Sequence, residues 1–305
     1  MIIYEPNKNW FRDIGNLATS WTLQRIMRGV LLVGVIAAVI TGFLSYSNVE
    51  PRLHSGIFSL LGIVLSIVLV FRTNSAYDRW WEGRKLWGAL VNNTRNLALY
   101  LNVSVPDDDK PSRQFFARHI SNFCIALRDH LRSGTKLDEL DLTEREKTEL
   151  QGKSHQPNHI SMWIYDRMRM IYKAGMFSDA DFINIKGQHE SLLDILGACE
   201  RIKKTPIPFS YSVYIKVFIS IYCLLLPFGL YLDFGWYTVP LTMFISFAMI
   251  GLELMAQEIE EPFGLDCNDL PTGDIAMNIK RNVHELLGDP VAVIQKSPGI
   301  YSKVH

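Results

Sequence analysis

Four long runs of uncharged, mostly apolar residues interrupt the charged sequence of this chain. They are residues 29–49, 53–71, 217–232 and 234–252, of 21, 19, 16 and 19 residues. Because about 20 apolar residues at 1.5 Å per residue cross a hydrocarbon core of ~30 Å, the pattern predicts four membrane-spanning helices. The third run reaches that length with Tyr214 and Ile215, or by extension of the Lys216 amine to the interface. Buried helices of a soluble protein are the alternative, but four such runs exceed what a soluble core of this size needs.

The positions of lysine and arginine predict the orientation of these spans. Basic residues precede the first run, follow the second and precede the third, whereas Arg52 is the one basic residue of the two short hairpin loops. We therefore expect both termini and the long middle segment to face the cytosol. The first run is too long, and too closely followed by the second, for a cleaved signal peptide. The chain is predicted to be a multi-pass protein of the inner, or plasma, membrane.

The segments outside the runs show apolar residues at three- and four-residue spacing, as in Phe115–Leu127, and no strand alternation. The sequence therefore predicts an all-α protein with a cytosolic helical bundle. Further helices are expected at 142–150, 162–174, 181–202 and 275–287. The predicted organisation is 1–72 for an N-terminal arm and two spans, 73–211 for a cytosolic helical region, 212–252 for two spans, and 253–305 for a cytosolic acidic turn, helix and tail.

Composition and motifs exclude several classes of function. Lys and Arg number 31, as do Asp and Glu, so the zero net charge gives no reason to expect a nucleic-acid partner. The motifs HExxH, GxSxG and GxGxxG are absent, which argues against an enzyme. Four cysteines without CxxC spacing and eight scattered histidines predict free thiols and no zinc site. The lack of an ionisable residue near the middle of any span disfavours a proton-coupled transporter.

Ile63, Ile67 and Phe71 form one stripe of the second span, at i, i+4 and i+8. Small residues beside this stripe, among them Ser59 and Ser66, would let helices approach closely around an axis. Rings of such apolar side chains can gate a pore by dewetting. Lipid-facing or bundle-core residues show the same spacing, and spacing alone favours that simpler interpretation.

A dense group of carboxylates follows the fourth span. Its members are Glu258, Glu260, Glu261, Asp266 and Asp269. Hard cations such as Ca²⁺ bind several such oxygens, although the spacing is not that of an EF-hand. The alternatives are a divalent-cation site and a solvated acidic turn, and the sequence leaves both open.

Several segments, taken together and in order, resemble the bestrophin family, here its bacterial members. They are Ile57–Ile63, Phe71–Tyr77, Arg84–Gly88, Cys199–Arg201, Thr205–Phe209, Glu260–Gly264 and Asn268–Pro271. The resemblance covers most of residues 1–290. It implies a homopentameric ion channel in which five copies of the second span line one axial pore, so that the partners are other copies of the chain, the lipid bilayer and monovalent ions.

The resemblance also assigns roles to residues. It places Ile63, Ile67 and Phe71 in a narrow neck, and a second, cytosolic aperture near Asp179 and Ala180, where Ala180 is smaller than the bulky residue expected. Calcium binds an acidic clasp in eukaryotic relatives, but here Cys267 and Asn268 interrupt that run, so no cofactor is expected and calcium dependence is doubtful.

The permeant ion stays open at the level of sequence. The family is generally labelled as chloride and anion channels, whereas bacterial relatives with an Ile-Ile-Phe neck include Na⁺ and K⁺ conductors. An uncharged neck does not select the sign of an ion by Coulomb attraction. The remaining alternatives are a transporter and a non-conducting membrane scaffold.

Overall fold

The computed structural model describes residues 21–47, 55–132, 134–266 and 268–288. These residues form helices joined by turns, with no strand among them, which confirms the all-helical prediction for this part of the chain. Its helices are α1 (Trp21–Ser47), α2 (Ser55–Ser104), α3 (Lys110–His130), α4 (Glu144–Gln151), α5 (Gln156–Lys173), α6 (Asp179–Lys204), α7 (Phe209–Phe234), α8 (Thr238–Glu260) and α9 (Thr272–Leu286), with short 3₁₀ turns at Leu137–Glu139 and Gly235–Tyr237.

Three helical stretches of the described residues are long and apolar enough to cross a membrane. They are Thr22–Ser47, Gly56–Ser104 and Phe209–Glu260, of which the last comprises α7, a 3₁₀ turn and α8. The sequence analysis began the fourth helix at Phe234, and this start was wrong. Helix α7 continues to Phe234, and the chain reverses at Gly235, whose φ of +50° is a conformation that glycine adopts without steric cost.

The chain divides into two compact units. The described residues of 3–79 and 206–260 form one, here called the apolar unit, and those of 80–205 and 261–305 form the other, here called the polar unit. In the apolar unit α1 packs against α7 and α8. The buried side of α2 packs against α7 in a core that contains Phe58, Leu65, Leu69, Ile215, Ile219 and Leu226.

The polar unit is built around α3, whose residues are buried almost throughout its second half. It packs against α5 and α9, and α5 packs against α6. Side-chain caps fix the helix starts that apolar spacing missed. Ser178 caps α6 together with Asp181, so this helix begins at Asp179 rather than at 181. Pro157 in the first turn lets α5 begin at Gln156, six residues before the predicted start at 162.

Gly229 allows the close contact between α7 and α2. A β-carbon at this position would lie 2.2 Å from Cδ2 of Phe58. Gly229→Ala should therefore lower the free energy of unfolding by about 1–3 kcal/mol, the usual range for overpacking. Thermal unfolding of the purified protein in mild detergent measures this change.

The matched control is Gly197→Ala on the exposed side of α6, where a β-carbon meets no atom within 4 Å. The same substitution there should stabilise the protein by about 0.5–1 kcal/mol, because alanine is the better helix former. Equal effects of the two substitutions would contradict the packing argument.

Candidate functional site

Helix α2 has one buried side and one exposed side. Phe58, Leu65 and Leu69 are buried, whereas Ile63, Ile67 and Phe71 on the opposite side are 58%, 53% and 62% exposed. The structure thus brings the three neck residues of the sequence analysis onto one surface of a single helix. More than half of each of these three side chains is exposed in the single chain, and we call this surface the exposed stripe.

The small residues beside the stripe divide between two roles. A β-carbon on Gly62 would lie 2.8 Å from the Tyr222 hydroxyl, so Gly62 lets α7 approach. That hydroxyl donates a hydrogen bond to the carbonyl oxygen of Phe58, at 3.3 Å. Ser66 stays exposed, and its hydroxyl donates to the carbonyl oxygen of Gly62 at 2.8 Å. The side chains next to the predicted neck residues are therefore small, and the Ser66 hydroxyl is hydrogen-bonded within its own helix.

The exposed stripe changes from apolar to polar after Phe71. The exposed residues that continue it, at steps of three, four or seven, are Asn74, Asp78, Trp81, Lys85, Asn92 and Arg95. These contribute one carboxylate and two cations. The nearby Trp80 and Trp87 serve packing instead: Trp87 is buried, and the Trp80 indole donates to the carbonyl oxygen of Asn268 at 3.1 Å.

A buried ion cluster fixes the opposite side of α2. The Arg72 guanidinium lies 3.4 Å from a carboxylate oxygen of Glu253 and 2.6 Å from one of Glu260. The second Glu260 oxygen accepts a hydrogen bond from the backbone N–H of Ile207 at 3.0 Å. Arg79 donates to the Glu260 carbonyl at 3.1 Å. This cluster ties α2 to α8 and fixes the rotation of α2 about its own axis.

This role of Arg72 was not predicted, because in the sequence Arg72 is one of the basic residues that orient the spans. The signal that could have found it is the pair Glu253 and Glu260, seven residues apart, which lie on one face if the fourth helix continues past its predicted end at residue 252.

Four of the five carboxylates of the predicted acidic turn have partners, which are of different kinds. In the apolar unit, Glu258 accepts from the Thr22 hydroxyl at 2.6 Å and Glu260 pairs with Arg72. In the polar unit, Glu261 lies 3.5 Å from the Lys203 amine, and Asp269 accepts from the backbone N–H of Asp266 at 2.7 Å. Calcium binding by these residues stays a prediction.

Asp179 and Ala180, the predicted cytosolic aperture, are exposed in the first turn of α6. The Tyr172 hydroxyl donates to Asp179 at 2.8 Å, and this bond to a carboxylate raises the pKa of Tyr172. Asp179 is thus held at a helix N-terminus, where the helix dipole favours a negative charge. Their role in a constriction stays a prediction.

The free-thiol prediction is confirmed for Cys124, Cys199 and Cys223, which are buried. Burial raises the pKa of Cys199 to about 12, so this thiol is unreactive. Cys267 lies outside the described residues.

One group of potential metal ligands escaped the sequence analysis. Among the described residues, His130, His155 and Glu200 bring three ligand atoms within 4.8 Å of one another. His130 and His155 are 70 and 45 residues from Glu200 along the chain. No spacing rule for metal ligands covers such separations, so only the fold brings the group together.

Comparison with known proteins gives concordant results. Residues 1–285 match the family of bacterial and fungal bestrophin proteins. A voltage-dependent anion channel-forming protein of Nostoc sp. is 37% identical over 287 residues, which is 92% of each chain. The voltage-dependent anion channel-forming protein YneE of Escherichia coli (strain K12) is 30% identical over 282 residues, again 92% of each chain.

The structure is also similar to solved ones. The crystal structure of a bacterial bestrophin homologue from Klebsiella pneumoniae superposes with a TM-score of 0.79 at 30% identity, over 87% of this chain and 98% of that one. The match extends through both the apolar helices and the charged helical segments. This chain belongs to the bacterial and fungal bestrophin family.

Proposed function

We propose that this chain is one subunit of an anion channel, and that the exposed stripe of α2 lines its pore. The observation that carries the proposal is the exposure of Ile63, Ile67 and Phe71. The opposite side of α2 is packed, and the ion pairs of Arg72 hold it to α8. Family membership and the names of the relatives support the same function.

A single copy of α2 has one apolar stripe and does not enclose an aqueous path. A closed ring of identical copies encloses such a path, because cyclic symmetry places the same residues at the same height around one axis. We propose the pentamer that the bestrophin resemblance implies, with four spans per subunit, both termini in the cytosol, and the inner membrane as its location. Five copies of each neck residue would then form stacked apolar rings, which resist wetting.

The charges along the stripe favour anions over cations. The Phe71 ring has an electropositive edge and an electronegative face, so the ring by itself does not decide the sign of the ion. Beyond it, Lys85 and Arg95 outnumber Asp78, so each copy adds net positive charge along the proposed path. A channel for Na⁺ or K⁺ with the same architecture is the second candidate, because the neck itself carries no charge.

Two further elements belong to this proposal. Asp179 and Ala180 would border a second, wider aperture, since Ala180 offers little bulk. The acidic turn would bind a divalent cation through Glu261 and Asp266, which are the exposed members of that group. Glu258, Glu260 and Asp269 already have donors, and Glu261 lies 3.5 Å from the Lys203 amine, so we expect weak binding at most.

The reversal potential of the purified protein in a planar bilayer under a KCl gradient tests the proposal. We expect a value near the chloride equilibrium potential. A value near that of potassium would replace the anion channel with a cation channel. An assembled oligomer that carries no current, over a range of voltage, pH and calcium concentration, would contradict channel function and favour a scaffold or transporter.

A further inference from the structure

Two histidines and one glutamate from three helices of the polar unit meet at one place. His130 lies at the end of α3, His155 caps the start of α5, and Glu200 lies near the end of α6. Nε2 of His130 and Nε2 of His155 are 2.5 Å and 3.0 Å from the same oxygen of Glu200. All three side chains are partly buried.

These ligand types suit Zn²⁺ and related divalent transition ions, which bind imidazole nitrogen and carboxylate oxygen. Three protein ligands plus water is the usual arrangement of an open zinc site. Metal–ligand bonds of about 2.0–2.2 Å in a tetrahedron separate neighbouring ligands by about 3.3 Å. The two distances from histidine nitrogen to Glu200 oxygen are shorter than this, because they are hydrogen-bond distances. A small outward movement of the Glu200 carboxylate would therefore make room for an ion.

Glu200 carries the negative charge that such a site needs. One of its oxygens faces both His130 and His155. Its second oxygen lies 3.4 Å from the Lys204 amine, which leaves the first oxygen for an ion. The site borders a cavity of about 610 Å³ that His155 and Glu200 help to line, so an ion can reach it from solvent.

We propose that His130, His155 and Glu200 bind one divalent ion of the zinc class, which joins α3, α5 and α6. On binding, the ion takes the place of the Nε2 proton that each histidine shares with Glu200, and that proton transfers to Nδ1 of the same ring. At His155 this transfer breaks the long hydrogen bond that Nδ1 accepts from the Asn158 backbone N–H, 3.3 Å in length. The inference does not depend on the proposed channel function, because it concerns binding to the cytosolic helices alone.

Zinc titration of the full-length protein tests this inference, after removal of any affinity tag and treatment with a chelator. We expect one Zn²⁺ per subunit, a rise in Tm on zinc addition, and no competition from Ca²⁺ or Mg²⁺. Co²⁺ as a probe should give the intense visible absorption of a four-coordinate site. Absence of stoichiometric zinc binding would overturn the inference.

Two variants locate the site. Glu200→Gln keeps the shape of the side chain but removes the anionic ligand, and His155→Asn removes the imidazole but keeps a good helix cap. Each should lower zinc affinity by at least roughly tenfold, because even indirect partners of a metal contribute that much. If Glu200→Gln does not fold, the zinc affinity of His155→Asn alone tests whether zinc binds at this site.

The matched control is Glu149→Gln. In the wild type, the Glu149 carboxylate contacts a single histidine, His159, at 2.8 Å. It should leave zinc affinity unchanged. Lys204→Met should raise the affinity, because it removes a competing positive charge beside Glu200. Equal zinc affinity of the wild type, Glu200→Gln and His155→Asn would show that zinc binds elsewhere and overturn the proposed site.

Discussion

Replacement of Arg72 by methionine should lower the free energy of unfolding by about 3–5 kcal/mol, the usual cost of breaking a buried ion pair from one side. The Arg72 and Glu253 side chains are 1% and 5% exposed, so solvent does not compensate the carboxylate that loses its partner. Glu260 loses a partner at 2.6 Å in the same substitution. Methionine fills much of the volume of the arginine side chain, so the change in stability reports the lost charge rather than lost packing.

Thermal unfolding of the purified protein in mild detergent measures this loss. Arg201→Met is the matched control, because Arg201 forms a 2.6 Å pair with Glu82 in which the side chains are 65% and 42% exposed. Exposed pairs contribute about 0–1 kcal/mol, so the control should change stability little. Similar shifts in both variants would contradict the anchoring role of the buried cluster.

Neutralising the stranded carboxylates should recover part of the loss. Glu253→Gln and Glu260→Gln, added to Arg72→Met, remove the two carboxylate charges that lost the guanidinium, and the amide oxygen at position 260 still accepts from the Ile207 backbone. If stability recovers, the loss in Arg72→Met comes from burial of unpaired charge. If it does not recover, the loss comes from the shape of the missing guanidinium group.

The spans of this protein could be predicted because their evidence is local. A run of uncharged residues is visible in the sequence whatever the fold, and the described residues of each predicted run lie in α-helices except at the 3₁₀ turn Gly235–Tyr237. The turn at Gly235 could not be predicted in the same way. Asp233 breaks the apolar pattern, but the helical hydrogen bonds continue past it until glycine permits a positive φ.

The site was predicted in part. Four-residue spacing placed Ile63, Ile67 and Phe71 on one side of a helix, and the family resemblance assigned them a role. Spacing did not show which side of α2 is exposed, because apolar residues occupy both sides of this span. That information comes from the packing of Leu65 and Leu69 and from the Arg72 cluster, which join residues far apart in the chain.

Ile67→Ala should raise the single-channel conductance severalfold if the exposed stripe lines the pore. Each copy loses the outer carbons of its side chain, so the central ring of the proposed neck becomes wider and less apolar, and water remains in it more readily. A barrier lowered by about 1.4 kcal/mol raises a rate tenfold, so partial relief of dewetting is enough for a clear change. Stability should change little, because Ile67 is 53% exposed in the single chain.

Single-channel recording in a planar bilayer measures this effect, with Ile221→Ala on α7 as the matched control. Ile221 is 50% exposed, so both substitutions remove the same atoms from similarly exposed positions, but Ile221 is not on the exposed stripe of α2. The control should conduct as the wild type does. Unchanged current from a normally assembled Ile67→Ala oligomer would remove Ile67 from the pore lining. Equal gains in both variants would point instead to a general loosening of the apolar helices, because only a residue at the constriction can change conductance by widening it.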